Sequence, residues 1–207
     1  MNHTIFNERP ESQDTMIKML IAMGYEYVSR SDAEEKRGKL SNVIFEDELH
    51  AFLNSQQYVF RGKEYNFSAE SVTRAIRELD ASLLQGLLMA SKDVYNHLTG
   101  GISVEEKLFI EGDNLGTHSF DLKYIDFEHP EKNKWQVTDE FSVERANGSY
   151  ARPDIVLLCN GIPLVVIENK KSSVDVKEGV LQNVRNMMPD YIPQLFKYAQ
   201  LVLAVNP

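Results

Sequence analysis

The chain has 207 residues, 22 of them Lys or Arg and 31 Asp or Glu, for a formal net charge of −9. Its 43% hydrophobic and 26% charged fractions are those of a globular protein with room for one large domain. The one cysteine, Cys159, excludes an internal disulfide. No apolar run reaches the roughly 20 residues of a membrane span, and the N-terminus lacks a signal-peptide core, so the expected location is cytoplasmic.

The first half reads as mostly helical. Glu11 to Met23 carries Met16, Ile17, Met19, Leu20 and Met23 at helical spacing, with Pro10 suited to the first turn and Gly24 to the stop. Tyr25 to Val28 reads as a short strand. Val43 to Leu53, Ala69 to Leu79 and Leu83 to Leu98 read as helices, the last ended by Gly100-Gly101. Their Met and aromatic residues are read as core.

From Lys107 the period becomes strand-like. Phe109, His118 to Ile125 and Trp135 to Glu144 read as strands. Asp154 to Leu158 and Leu164 to Ile167 are the strongest, and their unbroken apolar runs imply burial on both faces of a sheet. Asp175 to Asn186 and Ile192 to Tyr198 are predicted helices, followed by a buried strand from Leu201 to Val205. The chain ends directly after that strand, which reads as a fragment of a longer protein.

Charge is uneven along this plan. From residue 150 onward there are 6 cations and 5 anions, leaving 16 and 26 of the totals of 22 and 31 for the rest. The acidity therefore belongs to the first three quarters. A polyanion would meet the last quarter, with help from another domain or chain.

The chemistry concentrates in Arg152-Pro153-Asp154 and in Glu168-Asn169-Lys170, at the ends of two successive apolar runs. Acids in apolar surroundings are costly unless compensated. A divalent cation would compensate Asp154 and Glu168 together. Mg²⁺ takes oxygen ligands in an octahedron and keeps several waters, so two carboxylates and the Asn169 carbonyl would leave positions for water and a phosphate oxygen. Lys170, on the same strand face as Glu168, could then orient the attacking water or stabilise developing charge. Alternatively Asp154 caps a turn beside Arg152, and Glu168 with Lys170 forms a surface ion pair.

The cation site requires Asp154 and Glu168 on one face. A two-residue Asn160-Gly161 turn would pair Asp154 with Ile167 and put Glu168 on the wrong side. The expectation is therefore a three-residue loop with Gly161 near the left-handed region, or an equivalent bulge. Cys159 is expected to be a buried thiol. The five histidines have no metal-ligand spacing.

These residues resemble the PD-(D/E)xK nuclease motif. Together with Trp135 to Val143 and Ile192 to Tyr198, they resemble the N-terminal nuclease domain of the restriction (R) subunit of type I restriction enzymes. The likeness is specific from about Leu122 onward and weak before it, apart from Met23-Gly24-Tyr25. It implies an α/β fold with a restriction-endonuclease-like core: a mixed central β-sheet flanked by helices, with a helical N-terminal portion. Residues 1–207 would be one nuclease domain, helix-rich to about 105 and carrying the catalytic sheet from about 106. The ATP-driven translocase domains would be absent, and no phosphate-loop motif exists here.

The resemblance further implies a Mg²⁺-dependent endonuclease acting on double-stranded DNA beside modification and specificity subunits, with Asp154, Glu168 and Lys170 catalytic and ATP needed only by the translocase. It implies a Gln-x-x-x-Tyr element that touches DNA. Gln182 has the expected distance from Lys170 but is followed four on by Asn186. Gln194 and Tyr198 fit the letters but lie in the next helix. Gln182 is favoured, with Arg185 and Lys171 as further DNA contacts. An extra acid on the first helix would by spacing fall on Gln13, so Glu11 becomes the weak alternative ligand. Two rivals stay open: a nuclease of a helicase-linked repair or defence protein, and a degenerate nuclease fold that docks DNA or partner subunits.

Overall fold

The computed structural model describes residues 11–110 and 113–206. Helix α1 spans Glu11–Ala22, and Gly24, at φ 103°, turns the chain into β1, Glu26–Val28. Helix α2 (Arg30–Arg37) starts at Ser29, whose hydroxyl accepts from the Asp32 amide as an N-cap. Helix α3 (Glu46–Ser55) leads into a tight hairpin of β2 (Gln57–Phe60) and β3 (Lys63–Asn66). Helices α4 (Ala69–Leu79) and α5 (Leu87–Gly100) precede a long hairpin of β4 (Ile102–Ile110) and β5 (Asp113–Leu122). The remaining elements are β6 (Trp135–Asp139), β7 (Val143–Glu144), β8 (Tyr150–Ala151), β9 (Ile155–Cys159), β10 (Ile162–Asn169), α6 (Val176–Asn186), α7 (Pro193–Phe196) and β11 (Leu201–Val205).

Five strands form the central sheet in the order β1-β6-β9-β10-β11. The outer pairs are parallel and the two inner pairings antiparallel, so the sheet is mixed. Each face has its own core. Ile17 and Leu20 of α1 pack on Val137, Ile155, Leu157 and Ile167. The opposite face carries Val156, Leu158 and Val166, covered by Phe45, Leu49, Ile192 and Leu195 in a larger cluster. Burying each such aliphatic or aromatic side chain contributes about 1.5–3 kcal/mol. The fold is the expected α/β one, a mixed sheet flanked by helices.

Several elements differ from the sequence reading. Trp135 to Glu144 is not one strand: Glu140, at φ 48°, breaks it so that its own amide and that of Phe141 can reach the carbonyls of Asp154 and Pro153. The stretch from Leu83 divides at Gly86 into a short 3-10 turn and α5. The final helix is limited to Pro193–Phe196. Helix α2 and the β2–β3 hairpin were not anticipated. Met19 and Met23 are exposed rather than core. Cys159 is fully buried, and burial raises its thiol to about 12.

Candidate active site

The β9–β10 hairpin brings the motif together by a bulge, the alternative to a three-residue loop that strand alternation allows. Its turn has two residues, Asn160 and Gly161, both at positive φ, and pairs Ile162 with Cys159. Left alone, that register would separate the two acids. A β-bulge between Pro163 and Val165 then shifts the pairing, so that Ile167 faces Ile155, and the Glu168 carboxyl comes next to that of Asp154 just beyond the paired residues. The bulge does what an odd-length loop would have done. Gly161 cannot carry a side chain, because a Cβ there would run into the Phe45 carbonyl oxygen.

Asp154 is held by three groups. Its Oδ2 accepts from the Asn169 amide at 2.8 Å. Its carbonyl accepts from the Glu140 amide at 2.8 Å and from Gln13 Nε2 at 3.0 Å. Ser12, beside Gln13, accepts from Asn169 Nδ2 at 3.0 Å, so α1 braces both strand ends. Gln13, where the resemblance places an acid, thus supplies a main-chain support instead. The side chain of Glu11 lies outside the described residues.

Glu168 is fully buried, and its Oε1 has no hydrogen-bond partner. Burial, and then the neighbouring Asp154 carboxylate, push its carboxyl up to about 8, with Lys170 opposing. Lys170 Nζ stands 3.5 Å from Glu168 Oε2 and donates to Gln182 Oε1 at 2.6 Å. A buried, unpartnered carboxylate oxygen beside a second carboxylate suits a hard cation, with Asp154, Glu168 and the Asn169 carbonyl as the donors available. Among the described residues no group of three or more His, Cys, Asp or Glu side chains gathers at one point, so such a cation would rely on main-chain and water oxygens as well.

The other expected contacts separate. Gln182 meets Lys170, whereas Gln194 donates to the Glu144 carbonyl and Tyr198 to Asp80 Oδ1. Both of those bonds are ordinary packing away from the two acids. Arg185 is exposed, its guanidinium 5.4 Å from the Tyr191 ring. Lys171 is exposed on a groove of about 860 Å³ lined also by Ser12, Asn169 and Ser172.

Two features went unread in the sequence. Gly179 lies on α6, where an added Cβ would be 3.0 Å from Ala204 Cβ, 3.5 Å from Lys170 Cγ and 3.6 Å from Glu168 Cβ. It lets α6 approach the strand ends closely enough for Gln182 to reach Lys170. A glycine inside a predicted helix was the available signal. Arg37, almost fully buried, donates to the Ser142 carbonyl at 2.8 Å and lies 3.9 Å over the Phe141 ring. It steadies the segment whose amides hold Pro153 and Asp154, and no sequence pattern marks it.

No helix among the described residues is long and apolar enough to cross a membrane. The chain is 33% identical over 138 residues to the SauCOLORF180P type I restriction enzyme endonuclease subunit of Staphylococcus aureus, covering 63% of this chain and 14% of that protein. It is 25% identical over 208 residues to the HindI endonuclease subunit of Haemophilus influenzae, covering 96% and 18%. Against the EcoprrI endonuclease subunit of Escherichia coli it is 39% identical over 77 residues, covering 36% and 24%. The chain therefore spans a quarter or less of the length of these relatives. Residues 5–207 match the family described as type I restriction enzyme R protein N terminus, and the chain belongs to that family.

Proposed function

We propose that this domain is the Mg²⁺-dependent endonuclease of a type I restriction enzyme R subunit, hydrolysing phosphodiester bonds of double-stranded DNA. The observation that carries the reading is the convergence of Asp154, Glu168 and Lys170 at adjoining strand ends, with one Glu168 oxygen buried and unpartnered. Asp154, Glu168 and the Asn169 carbonyl would hold the cation. When bound, it would neutralise charge on the scissile phosphate and acidify water.

The chain's own groups do the rest. Lys170 presents an ammonium where charge develops on the phosphate oxygens, and Gln182 fixes its direction. The Asn169 amide and Gln13 keep Asp154 in place before substrate arrives. Water attacks the phosphorus in line and the sugar oxygen leaves, without a covalent enzyme intermediate. Gln182, Arg185 and Lys171 would touch the DNA. The partners in this reading are modification and specificity subunits, in the cytoplasm, and ATP serves only the translocase portion of the longer protein.

Lys170→Ala in the full-length subunit of the assembled complex tests this. Cleavage should disappear while the thermal melt stays within a few degrees of wild type. Cutting at the wild-type level would overturn the assignment. Gln13 in place of an acid favours one rival, a degenerate nuclease fold that docks DNA or subunits. Titration with Mn²⁺ separates the two, because a degenerate site should bind only weakly.

A further inference from the structure

Two arginines converge on Glu140, whose amide is bonded to the Asp154 carbonyl, in an arrangement the cleavage chemistry does not use. Arg30 Nη1, at the start of α2, stands 3.3 Å from Glu140 Oε2, and Arg152 Nη1, two residues before Asp154, stands 3.5 Å from the same oxygen. The Arg30 and Arg152 side chains are 43% and 50% exposed. Arg30 Nε also holds Glu34 at 3.0 Å, whereas Arg152 has Glu140 as its one ion-pair partner among the described residues. Glu140 occupies the left-handed backbone region at φ 48°, uncommon for a residue with a side chain, and its amide donates to the Asp154 carbonyl at 2.8 Å. The acid bridging the two guanidinium groups is thus tied to the backbone of a residue in the proposed cation site.

We propose that Arg30 and Arg152 form a binding site for a backbone phosphate of the DNA strand next to the one that is cut, and that Glu140 occupies this place in the free protein. The inference rests on the nuclease reading and adds to it the contact that holds the strand. A DNA backbone approaching Asp154 and Glu168 meets two carboxylates on a chain of net charge −9, so neighbouring cations must offset the repulsion. Lys170 is already committed to Glu168 and Gln182. The guanidinium fork matches two phosphate oxygens at once, which a carboxylate oxygen shared at 3.3 and 3.5 Å does not exploit. Exposed ion pairs of this length hold weakly, so a phosphate can displace the acid at little cost. The small cost of that displacement lowers DNA affinity only several-fold, and the Glu140 charge imposes it on all binding, whatever the DNA sequence.

The test is binding of a fluorescent DNA duplex to the full-length subunit, with Ca²⁺ in place of Mg²⁺, followed from 50 to 200 mM salt. Arg152→Ala and Arg30→Ala should each weaken binding several-fold and lower the slope of log affinity against log salt by about one. Arg152→Lys should keep most of the slope. Glu140→Gln should tighten binding several-fold, a change that a purely structural role for the three residues would not produce. Unchanged slopes in both alanine variants, with no tightening by Glu140→Gln, would overturn the phosphate site even where thermal melting shows lost stability. Absence of duplex binding by the wild-type subunit would instead count against the DNA-cutting reading itself, so the two failures are distinguishable.

Discussion

Gly179 faces Glu168 across the α6–β10 junction, and a single methyl group on the glycine would fill the space between them, at 3.6 Å from Glu168 Cβ and 3.0 Å from Ala204 Cβ. Inside a helix, glycine normally costs about 1 kcal/mol relative to alanine. Here its missing side chain sets how near Gln182 comes to Lys170. Gly179→Val should force α6 outward and cost about 1–3 kcal/mol through overpacking. The same displacement should break the Lys170–Gln182 bond, so cleavage should fall more than stability does. A variant that melts and cuts like wild type would show that α6 does not need this close approach.

The raised Glu168 carboxyl makes a pH prediction with a definite sign. Its folded value of about 8 lies well above that of an exposed glutamate in the unfolded chain. Between those two values the folded state binds the extra proton, so metal-free stability should fall as pH rises from about 4.5 to about 8 and level off beyond. The whole shift corresponds to at most about 5 kcal/mol. Glu168→Gln should remove most of this slope and melt higher than wild type at pH 8.5 in the presence of a chelator. Mg²⁺ should restore wild-type stability at that pH and do nothing for the variant. Parallel stability profiles for the two proteins would show that Glu168 ionises normally.

Lys170 keeps its ammonium close to Glu168 through the Gln182 carbonyl oxygen, 2.6 Å away. Gln182→Leu removes that acceptor with little change in volume. Displacements of about 1 Å at a reacting centre can cost on the order of 100-fold in rate, and a loss of roughly 10- to 100-fold in single-turnover cleavage is expected, with Mn²⁺ affinity retained. Gln194→Leu, by contrast, should leave the rate intact, because Gln194 bonds the Glu144 carbonyl and stays clear of the acids. Equal loss in both variants would contradict the assignment of Gln182 to the site.

What the sequence made legible was what depends on local periodicity. Ala69–Leu79 and Leu201–Val205 lie where the apolar spacing put them, although Leu201–Val205 is exposed to half-buried rather than the buried strand expected, and α6 begins at the residue after Asp175, its N-cap. The juxtaposition of Asp154 and Glu168 was also legible, because strand alternation demanded a shift of one residue between them. Where that shift would sit was not, since a bulge at Leu164 depends on packing across the sheet rather than on a turn residue. Helix α2 escaped notice because its sequence, Arg-Ser-Asp-Ala-Glu-Glu-Lys-Arg, is almost wholly polar and buries little besides Ala33 and Arg37. The Arg30–Glu140–Arg152 cluster joins three segments far apart in sequence, and no spacing rule connects them.

Asn160 links the hairpin turn to the rest of the domain, and its replacement tests how firmly the register of the site is held. Its Oδ1 accepts from the Lys134 amide at 2.8 Å, while Nδ2 donates to the Tyr124 carbonyl at 3.0 Å and to Asn133 Oδ1 at 2.9 Å. The residue is 1% exposed and sits at φ 52°. Asn160→Ala strands the partly buried Lys134 amide and the buried Tyr124 carbonyl, at about 1–3 kcal/mol each, and places alanine in the left-handed region for about 1 kcal/mol more. A total loss of roughly 3 kcal/mol or more is expected in denaturant titrations. Asn160→Gly relieves only the backbone part and should recover about 1 kcal/mol of it. The difference between the two variants therefore separates conformation from hydrogen bonding. A loosened turn frees β10 to slide past β9, and a slip of one residue would turn Glu168 away from Asp154. Mn²⁺ affinity should accordingly drop in Asn160→Ala even under conditions where the protein remains folded. Undiminished affinity in a folded but destabilised variant would mean that the bulge at Leu164 fixes the register without help from the turn.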